Sequence, residues 1–341
     1  MRSYQLENLS QLRSHLGRRG ALFEPRQAED GGELHWLPMV DSAWPHEVEE
    51  TPLLPLTSPK SFFFKEREQL FYFDGKQFVE TLPDIEPQTL FGVRSCDLCA
   101  IAYLDQFFAA DPYYQKRRQA TLLVGIDCLH PCDGGFCRSV DAGPFVREAS
   151  ADLICHRQAD GHWLLIASTE AGEEAVQGLE LKAANEASLR QRDLRQKEVS
   201  EKFPDTSYLH AAIKRINNSD GGVAHTTWDA LGLQCLTCSG CTNSCPTCSC
   251  FAIFEQTTDE GVARQRCWDS CYFEAFQREA SGHNPSGEAG QRVKRYWEHK
   301  FSESYAATFG RYGCVGCGRC EKVCPGVIGV HSVTKRLATA S

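Results

Sequence analysis

Two cysteine runs constrain this chain more than any other feature of its sequence. Both read C-x2-C-x2-C-x3-C-P, the first from Cys235 to Pro246 and the second from Cys314 to Pro325. Bacterial ferredoxins bind [4Fe–4S] clusters with this spacing, and the fourth cysteine of each run ligates the cluster of the other run. We therefore predict two crossed ligand sets: Cys235, Cys238, Cys241 and Cys324 for the first cluster, and Cys314, Cys317, Cys320 and Cys245 for the second.

The residues between the cysteines suit this chemistry. Two intervening residues turn the backbone enough for successive sulfurs to reach separate corners of a cluster. Gly240, Gly316 and Gly318, with the small Ser239, let backbone amides approach the cluster sulfides. Zinc is the alternative, because paired C-x2-C units also form tetrahedral zinc sites. Two complete runs that each end in Cys-Pro favour iron–sulfur clusters over zinc or disulfides.

Composition and charge limit the classes of protein and of partner that fit this chain. The 341 residues are enough for two domains, and 42% of them are hydrophobic. A net charge of −9 argues against nucleic acid or an anionic membrane as the main partner. The N-terminus has no signal-peptide pattern, and no apolar run is long enough for membrane insertion. Eighteen cysteines in cluster-like spacing then predict a soluble protein of the reducing cytoplasm.

The N-terminal half has the pattern of an α/β domain with a mixed sheet. Residues 4–17 predict a helix, and residues 20–60, which include Asp30-Gly31-Gly32, predict loop with short strands. Buried strands over 89–93 and 120–126 flank a helix over 97–108 that Asp97 is expected to cap. That order predicts a βαβ unit with parallel strands.

Five further cysteines follow these strands. Cys96 and Cys128 fall at the carboxyl ends of two parallel strands, where open sheets place ligands. One hypothesis is a third iron–sulfur cluster, and the other is a set of buried free thiols, since cysteine is often buried. The candidate ligands are Cys96, Cys128, Cys132 and Cys137, with Cys99 as an alternative.

The predicted domains are an α/β domain over 1–182, a helical connector over 183–225, and a mainly helical, ferredoxin-like dicluster domain over 226–330. A long insertion, 246–313, interrupts the dicluster domain and holds four more cysteines. They suit a further cluster, a zinc site or packing around the first cluster equally well: Cys248, Cys250, Cys267 and Cys271. The tail, 331–341, is predicted to be mobile or to dock on a partner.

Several motifs carry a family resemblance over roughly residues 50–325. The chain resembles the beta subunits of soluble sulfhydrogenases, which belong to the NAD(P)-linked nickel–iron hydrogenases, and the electron-transfer subunit of anaerobic sulfite reductase has the same plan. The matching motifs are Val93-Arg-Ser-Cys96-Asp-Leu98, Asp111-Pro-Tyr-Tyr114, Phe136-Cys137, Cys245-Pro-Thr-Cys248-x-Cys250, Trp268-Asp-Ser-Cys271, Gly282-His283 and Gly313-Cys314-Val-Gly-Cys317-Gly-Arg-Cys320.

This resemblance implies an electron-transfer subunit without substrate chemistry of its own. Its partners would be the small and large hydrogenase subunits together with a flavin-containing, NAD(P)H-reactive diaphorase subunit, or, alternatively, the sirohaem-containing catalytic subunit of a sulfite reductase. A third hypothesis is an iron–sulfur enzyme that reduces a sulfur substrate, and a fourth is a zinc-stabilised interaction module. The sequence departs from the family pattern at Gly135, where a cysteine is expected, and at Cys267, where a basic residue is expected.

Overall fold

The computed structural model describes residues 2–27, 33–40, 54–218, 222–259 and 261–339. The Asp30-Gly31-Gly32 segment of the predicted loop lies outside these ranges. Its strands form an eight-stranded and a four-stranded sheet. The strands are β1 (Arg2–Leu6), β2 (Ala21–Gln27), β3 (Leu34–Pro38), β4 (Arg67–Phe73), β5 (Phe78–Glu80), β6 (Gln88–Arg94), β7 (Thr121–Ile126), β8 (Leu153–Arg157), β9 (Trp163–Ala167), β10 (Lys182–Ala183), β11 (Phe251–Thr258) and β12 (Gly261–Trp268).

The helices cover the large sheet and build the C-terminal part of the fold. Within the described ranges they are α1 (Ser10–Gly17), α2 (Ser95–Phe107), α3 (Pro112–Gln119), α4 (Glu170–Ala175), α5 (Glu186–Glu201), α6 (Ser207–Ile216), α7 (His225–Gln234), α8 (Gly240–Ser244), α9 (Ala289–Phe301), α10 (Glu303–Phe309), α11 (Arg319–Lys322) and α12 (Val330–Thr339). None of these helices combines the length and the apolar character that crossing a bilayer requires.

The large sheet is mixed, as predicted. Its order is β10-β1-β9-β8-β7-β6-β2-β3. The neighbouring pairs β2–β6, β6–β7 and β7–β8 are parallel, and the outer pairs are antiparallel. The predicted βαβ unit is confirmed, because α2 and α3 connect the parallel strands β6 and β7.

Side-chain alternation on the parallel strands explains why both faces of the sheet are covered. Successive residues of a strand point to opposite faces. On β6, Leu90 packs with Leu98 and Leu104 of α2, whereas Phe91 packs with the leucines of α1. The predicted N-terminal helix starts later than expected, at Ser10, because residues 2–6 pair with β9 and β10 as strand β1.

Asp97 does not cap α2, which corrects the prediction from sequence. The cap position is Arg94, and Asp97 lies in the first helical turn. Its carboxylate instead receives two hydrogen bonds from Arg319, which is 222 residues further along the chain. A tertiary ion pair has replaced the local capping interaction.

The small sheet combines strands from both halves of the chain. Its order is β11-β12-β4-β5, so the hairpin of the insertion pairs with β4 from the N-terminal half. The hairpin that the Asp74-Gly75 dipeptide indicates joins β4 to β5, and Asp74 Oδ1 accepts hydrogen bonds from the backbone amides of Lys76 and Gln77. The predicted domain limits stay a prediction, but this sheet crosses the limit at residue 182.

The described part of the tail is an ordered helix, so the first of the two alternatives predicted for it is wrong, and docking on a partner stays a prediction. Residues 330–339 form α12, which packs against α6. Val330, Val333 and Leu337 recur at the spacing of one helical face, and all three are buried. This apolar face joins the core formed by α6, α7 and α9.

We predict that Leu337→Ala destabilises the folded chain by about 2–5 kcal/mol, because it leaves a cavity beneath α12. Leu337 is 0% exposed, whereas Leu194 on α5 is 60% exposed. Leu194→Ala is therefore the matched control, with an expected change within about 0.5 kcal/mol. Urea unfolding followed by tryptophan fluorescence measures both, and equal values for the two variants would show that the tail is not docked.

Candidate metal centres

The two cysteine runs adopt the same local backbone conformation. The second residue after the first cysteine has a positive φ in both runs, 51° at Thr237 and 65° at Gly316. The residue that precedes the short helix also has a positive φ, 61° at Ser239 and 75° at Gly318. The helices α8 and α11 then follow in equivalent positions. The repeated cysteine spacing in the sequence therefore corresponds to a repeated backbone conformation.

These turns aim backbone amides at cysteine sulfurs. The Gly316 amide donates to Cys314 Sγ at 3.4 Å, and the Ile328 amide donates to Cys324 Sγ at 3.4 Å. Amide–sulfur hydrogen bonds favour the thiolate form, which is the form that binds metal. Glycine is required at position 316 for a second reason, since a Cβ there would lie 2.6 Å from the backbone N of Cys137.

The first centre brings together Cys235, Cys238, Cys241 and Cys324, which line one cavity. Three of these thiols come from the first run and Cys324 comes from the second. Tyr272, Tyr296 and Trp297 close the cavity on its protein side, and all three are buried. Burial raises the pKa of Cys241 to about 12, so metal binding as a thiolate would release a proton there.

The second centre has the complementary arrangement. Cys245, from the first run, lies close enough to Cys314, Cys317 and Cys320 to act electrostatically on each of them. Burial raises the pKa of Cys314 to about 12. Each run therefore places its fourth cysteine beside the first three of the other run.

Two buried lysines lie beside the second centre. Lys300 Nζ donates to Cys248 Sγ at 3.3 Å and to Thr247 Oγ1 at 2.9 Å. Lys60 Nζ donates to the carbonyl oxygens of Thr242 and Cys248. Burial opposes the charge of Lys300, but the electrostatic attraction of Cys245 and Cys248 outweighs it and raises the pKa of Lys300.

This charge pattern tests whether the donors fit an iron–sulfur cluster. A buried ammonium group is costly unless an anion lies close to it. Here the groups that stabilise the positive charge of Lys300 are mainly cysteines, with Cys245 and Cys248 foremost. A cluster held by four thiolates carries negative charge, so the donor set and its buried cations suit such a cluster.

The third group of cysteines also meets around one cavity. Cys96, Cys128, Cys132 and Cys137 line it, together with Cys317 of the second run. The thiol of Cys132 donates to Cys128 and lowers the pKa of Cys128. Cys99, the alternative ligand, is buried in the neighbouring core and does not line this cavity. Gly135 allows close approach here, because a Cβ at that position would lie 3.0 Å from Cys132 Cβ.

A buried ion pair joins the third group to the second run. Arg319 Nη1 and Nη2 donate to the two carboxylate oxygens of Asp97 at 2.6 and 2.8 Å, and Arg319 Nε donates to the carbonyl oxygen of Pro55. Both charged side chains are 1% exposed. Asp97 directly follows Cys96, and Arg319 directly precedes Cys320. The pair therefore fixes two candidate ligand loops relative to each other.

The three groups are contiguous. Cys320 of the second run lines the cavity of the first centre, and Cys317 lines the cavity of the third group. The thiols surround cavities and do not converge on single points: among the described residues, no three side chains of Cys, His, Asp or Glu are placed to hold one metal ion.

The structure separates the four cysteines of the insertion. Cys248, Cys250 and Cys271 line a common cavity with Lys300. Cys267 lies apart from them in β12, where it pairs with Ala252 of β11 and Arg67 of β4. The structure thus brings three of the four cysteines of the predicted site to one cavity and places Cys267 in the neighbouring sheet, and the four-cysteine site stays a prediction. The Cys271 thiol donates to Cys250 and lowers the pKa of Cys250 to about 7.

Reasoning from sequence missed the charged residues of these sites. Lys60, Lys300, Asp97 and Arg319 are buried charges that each contact a cysteine or the residue beside one. The sequence did offer one indication of the ion pair, because Asp97 and Arg319 are each adjacent to a cysteine, and the two cysteines belong to different groups. Nothing in the local sequence distinguishes Lys60 or Lys300 from surface lysines.

Comparison with known proteins agrees with this geometry. Residues 234–328 match the family described as 4Fe-4S dicluster domain, and this range contains both runs. The chain is 32% identical over 284 residues to sulfhydrogenase 2 subunit beta of Pyrococcus furiosus, and the alignment covers 78% of each chain. No solved structure matches the chain significantly.

We predict that Asp97→Ala destabilises the folded chain by about 3–5 kcal/mol, because it leaves the Arg319 guanidinium buried without its carboxylate. Urea unfolding of the full chain measures the change, and the double variant Asp97→Ala/Arg319→Leu should recover part of the loss. The control is Glu186→Ala, which removes an exposed ion pair with Arg190 and should change little. An effect of Asp97→Ala no larger than that of the control would contradict a role for the buried pair.

Proposed function

Since the chain belongs to the family of sulfhydrogenase beta subunits, we propose that it relays electrons between a nickel–iron hydrogenase module and a flavin-containing, NAD(P)H-reactive subunit. Its dicluster domain makes it an iron–sulfur protein. In this proposal the chain performs no substrate chemistry in the relay itself, and the complex works in the cytoplasm.

The contiguity of the three cysteine groups is the observation that supports a relay. Cys320 and Cys317 are three residues apart in the second run, yet they line two different cavities. Electron transfer slows steeply with distance, so a relay needs redox sites in close succession. The second run supplies that succession, because it lies between the first centre and the third group.

The proposed ligands of the first and third clusters line two cavities, and those of the second cluster are chosen because Cys245 lies close to the second run. We assign the first [4Fe–4S] cluster to Cys235, Cys238, Cys241 and Cys324, and the second to Cys314, Cys317, Cys320 and Cys245. A third iron–sulfur cluster is proposed on Cys96, Cys128, Cys132 and Cys137. When bound, such clusters supply one-electron oxidation and reduction.

The remaining residues set the environment of these sites. Lys300 places buried positive charge beside the cysteines of the second centre, which favours additional negative charge there, whereas burial lowers the pKa of the neighbouring Lys60. The amides of Gly316 and Ile328 donate to ligand sulfurs. Asp97 and Arg319 hold the second and third sites together. Hydrogen bonds, charge and burial are the means by which a protein adjusts the reduction potential of a cluster.

We predict about twelve iron atoms and a similar amount of acid-labile sulfide per anaerobically purified chain, as three [4Fe–4S] clusters require. Cys137→Ser should lower the iron content by about four atoms, because it removes a ligand of the third cluster. Cys155→Ser is the control, since Cys155 is buried in the core of the large sheet and should leave the iron content unchanged. About eight iron atoms in both the parent chain and Cys137→Ser would remove the third cluster from the proposal.

The partners require a separate test on the complex isolated through this chain. We expect nickel and a flavin to co-purify, and we expect NADH or NADPH to reduce the clusters, as followed by EPR, only when the flavin subunit is present. The isolated chain, reduced directly with dithionite, is the control for cluster integrity. Co-purification of sirohaem without nickel would instead assign the chain to a sulfite reductase.

A further inference from the structure

Two thiols outside the proposed ligand sets meet at a cavity of about 270 Å³. Cys250 directly precedes β11 and Cys271 follows β12 by three residues, so both lie at the base of the same hairpin. The Asp269 amide donates to the carbonyl oxygen of Cys250 at 3.0 Å, which holds the two segments side by side. Both residues line the cavity, and Cys271 lies close enough to Cys250 to lower the pKa of Cys250.

The two thiols differ in their exposure. Cys250 is partly exposed, whereas Cys271 is 2% exposed. In thiol–disulfide exchange, an accessible thiolate attacks an external disulfide and a second thiol then resolves the mixed disulfide. An accessible cysteine in contact with a buried one is the arrangement that this sequence of steps needs.

The walls of the cavity indicate the kind of molecule that it accepts. Arg295 and Lys300 of α9 bring two positive charges to the cavity, and Lys300 is held in place by Thr247 and Cys248. Aromatic rings of Tyr103, Phe107 and Tyr305 form much of the remaining lining. Positive charge also favours the thiolate form of neighbouring cysteines. The cavity therefore suits a small anionic ligand.

We propose that Cys250 and Cys271 form a thiol–disulfide exchange site for small anionic disulfides. The Cys250 thiolate attacks one sulfur of the disulfide, a Cys250–sulfur bond forms, and the first thiolate leaves and takes up a proton. Cys271 loses its proton and attacks the Cys250 sulfur, which forms the Cys250–Cys271 disulfide and releases the second thiol. The protein dithiol is oxidised by two electrons and the external disulfide is reduced by two.

This activity lies beyond the proposed relay. Its electrons come from the two protein thiols, and a second dithiol reductant returns the Cys250–Cys271 disulfide to its starting state. It uses neither the cysteines assigned to the clusters nor the partners of the complex. The inference can therefore fail while the relay holds, and the reverse is also true.

The test uses the anaerobically purified, iron-loaded full chain and the dianion dithiodiglycolate. After acid quench, alkylation and peptide mass spectrometry, we expect a Cys250–Cys271 disulfide and two released thiols per chain. Dithiothreitol should restore both thiols. The neutral hydroxyethyl disulfide is the matched probe, and it should react more slowly because it gains nothing from Arg295 and Lys300.

The variants distinguish an exchange site from a cluster site. Cys271→Ser should slow release of the second thiol about tenfold or more, since the mixed disulfide on Cys250 is no longer resolved. Cys267→Ser is the matched control on the same hairpin and should react like the parent chain. Loss of about four iron atoms per chain in Cys250→Ser or Cys271→Ser would overturn the proposal, because these thiols would then be cluster ligands. So would the absence of the Cys250–Cys271 disulfide from the treated parent chain.

Discussion

The buried ion pair between Asp97 and Arg319 is the interaction on which the arrangement of the redox sites depends. Neither charge tolerates burial alone, and together they form a bidentate pair that water does not reach. Asp97 lies in the first turn of the helix that follows central strand β6 of the large sheet, and Arg319 lies within a ferredoxin run. Any displacement of the run from the sheet would separate the charges, so the pair selects one relative position of the two halves.

The balance of buried charges also matters at the second centre. A protein interior that collects many thiolates accumulates negative charge, and here buried Lys300 offsets part of it, with Lys60 buried beside it. Lys60 comes from the N-terminal half and also lies over the ring of Trp268, 4.1 Å from its centroid. Both halves of the chain thus contribute charge to the site. The thiol sites and the fold are mutually stabilising for this reason.

Patterns in the local sequence correctly predicted those structural features that depend on interactions between residues close in the chain. The cysteine spacing identified both runs, and the apolar strands with their intervening helix identified the parallel βαβ unit. What failed depends on contacts between distant residues. Asp97 was expected to cap its own helix, but its partner lies 222 residues away. Cys267 was grouped with three cysteines close in sequence, and its pairing with β4 and β11, which places it in the small sheet, could not be read from the spacing. The tail helix was missed for another reason. Its apolar residues have helical spacing, but the pattern extends over only a short segment.

The small sheet has a consequence for how the chain is made. Strand β4 is translated early, yet its neighbour β12 is encoded nearly two hundred residues later, as the pairing of Phe73 with Val262 illustrates. Until the ribosome has delivered the insertion hairpin, β4 has an unpaired edge next to exposed aromatic side chains such as Phe78. An open, apolar strand edge is a site for wrong pairing with other chains. The small sheet is therefore complete only after the part of the chain that carries the insertion hairpin, between the two cysteine runs, has been made.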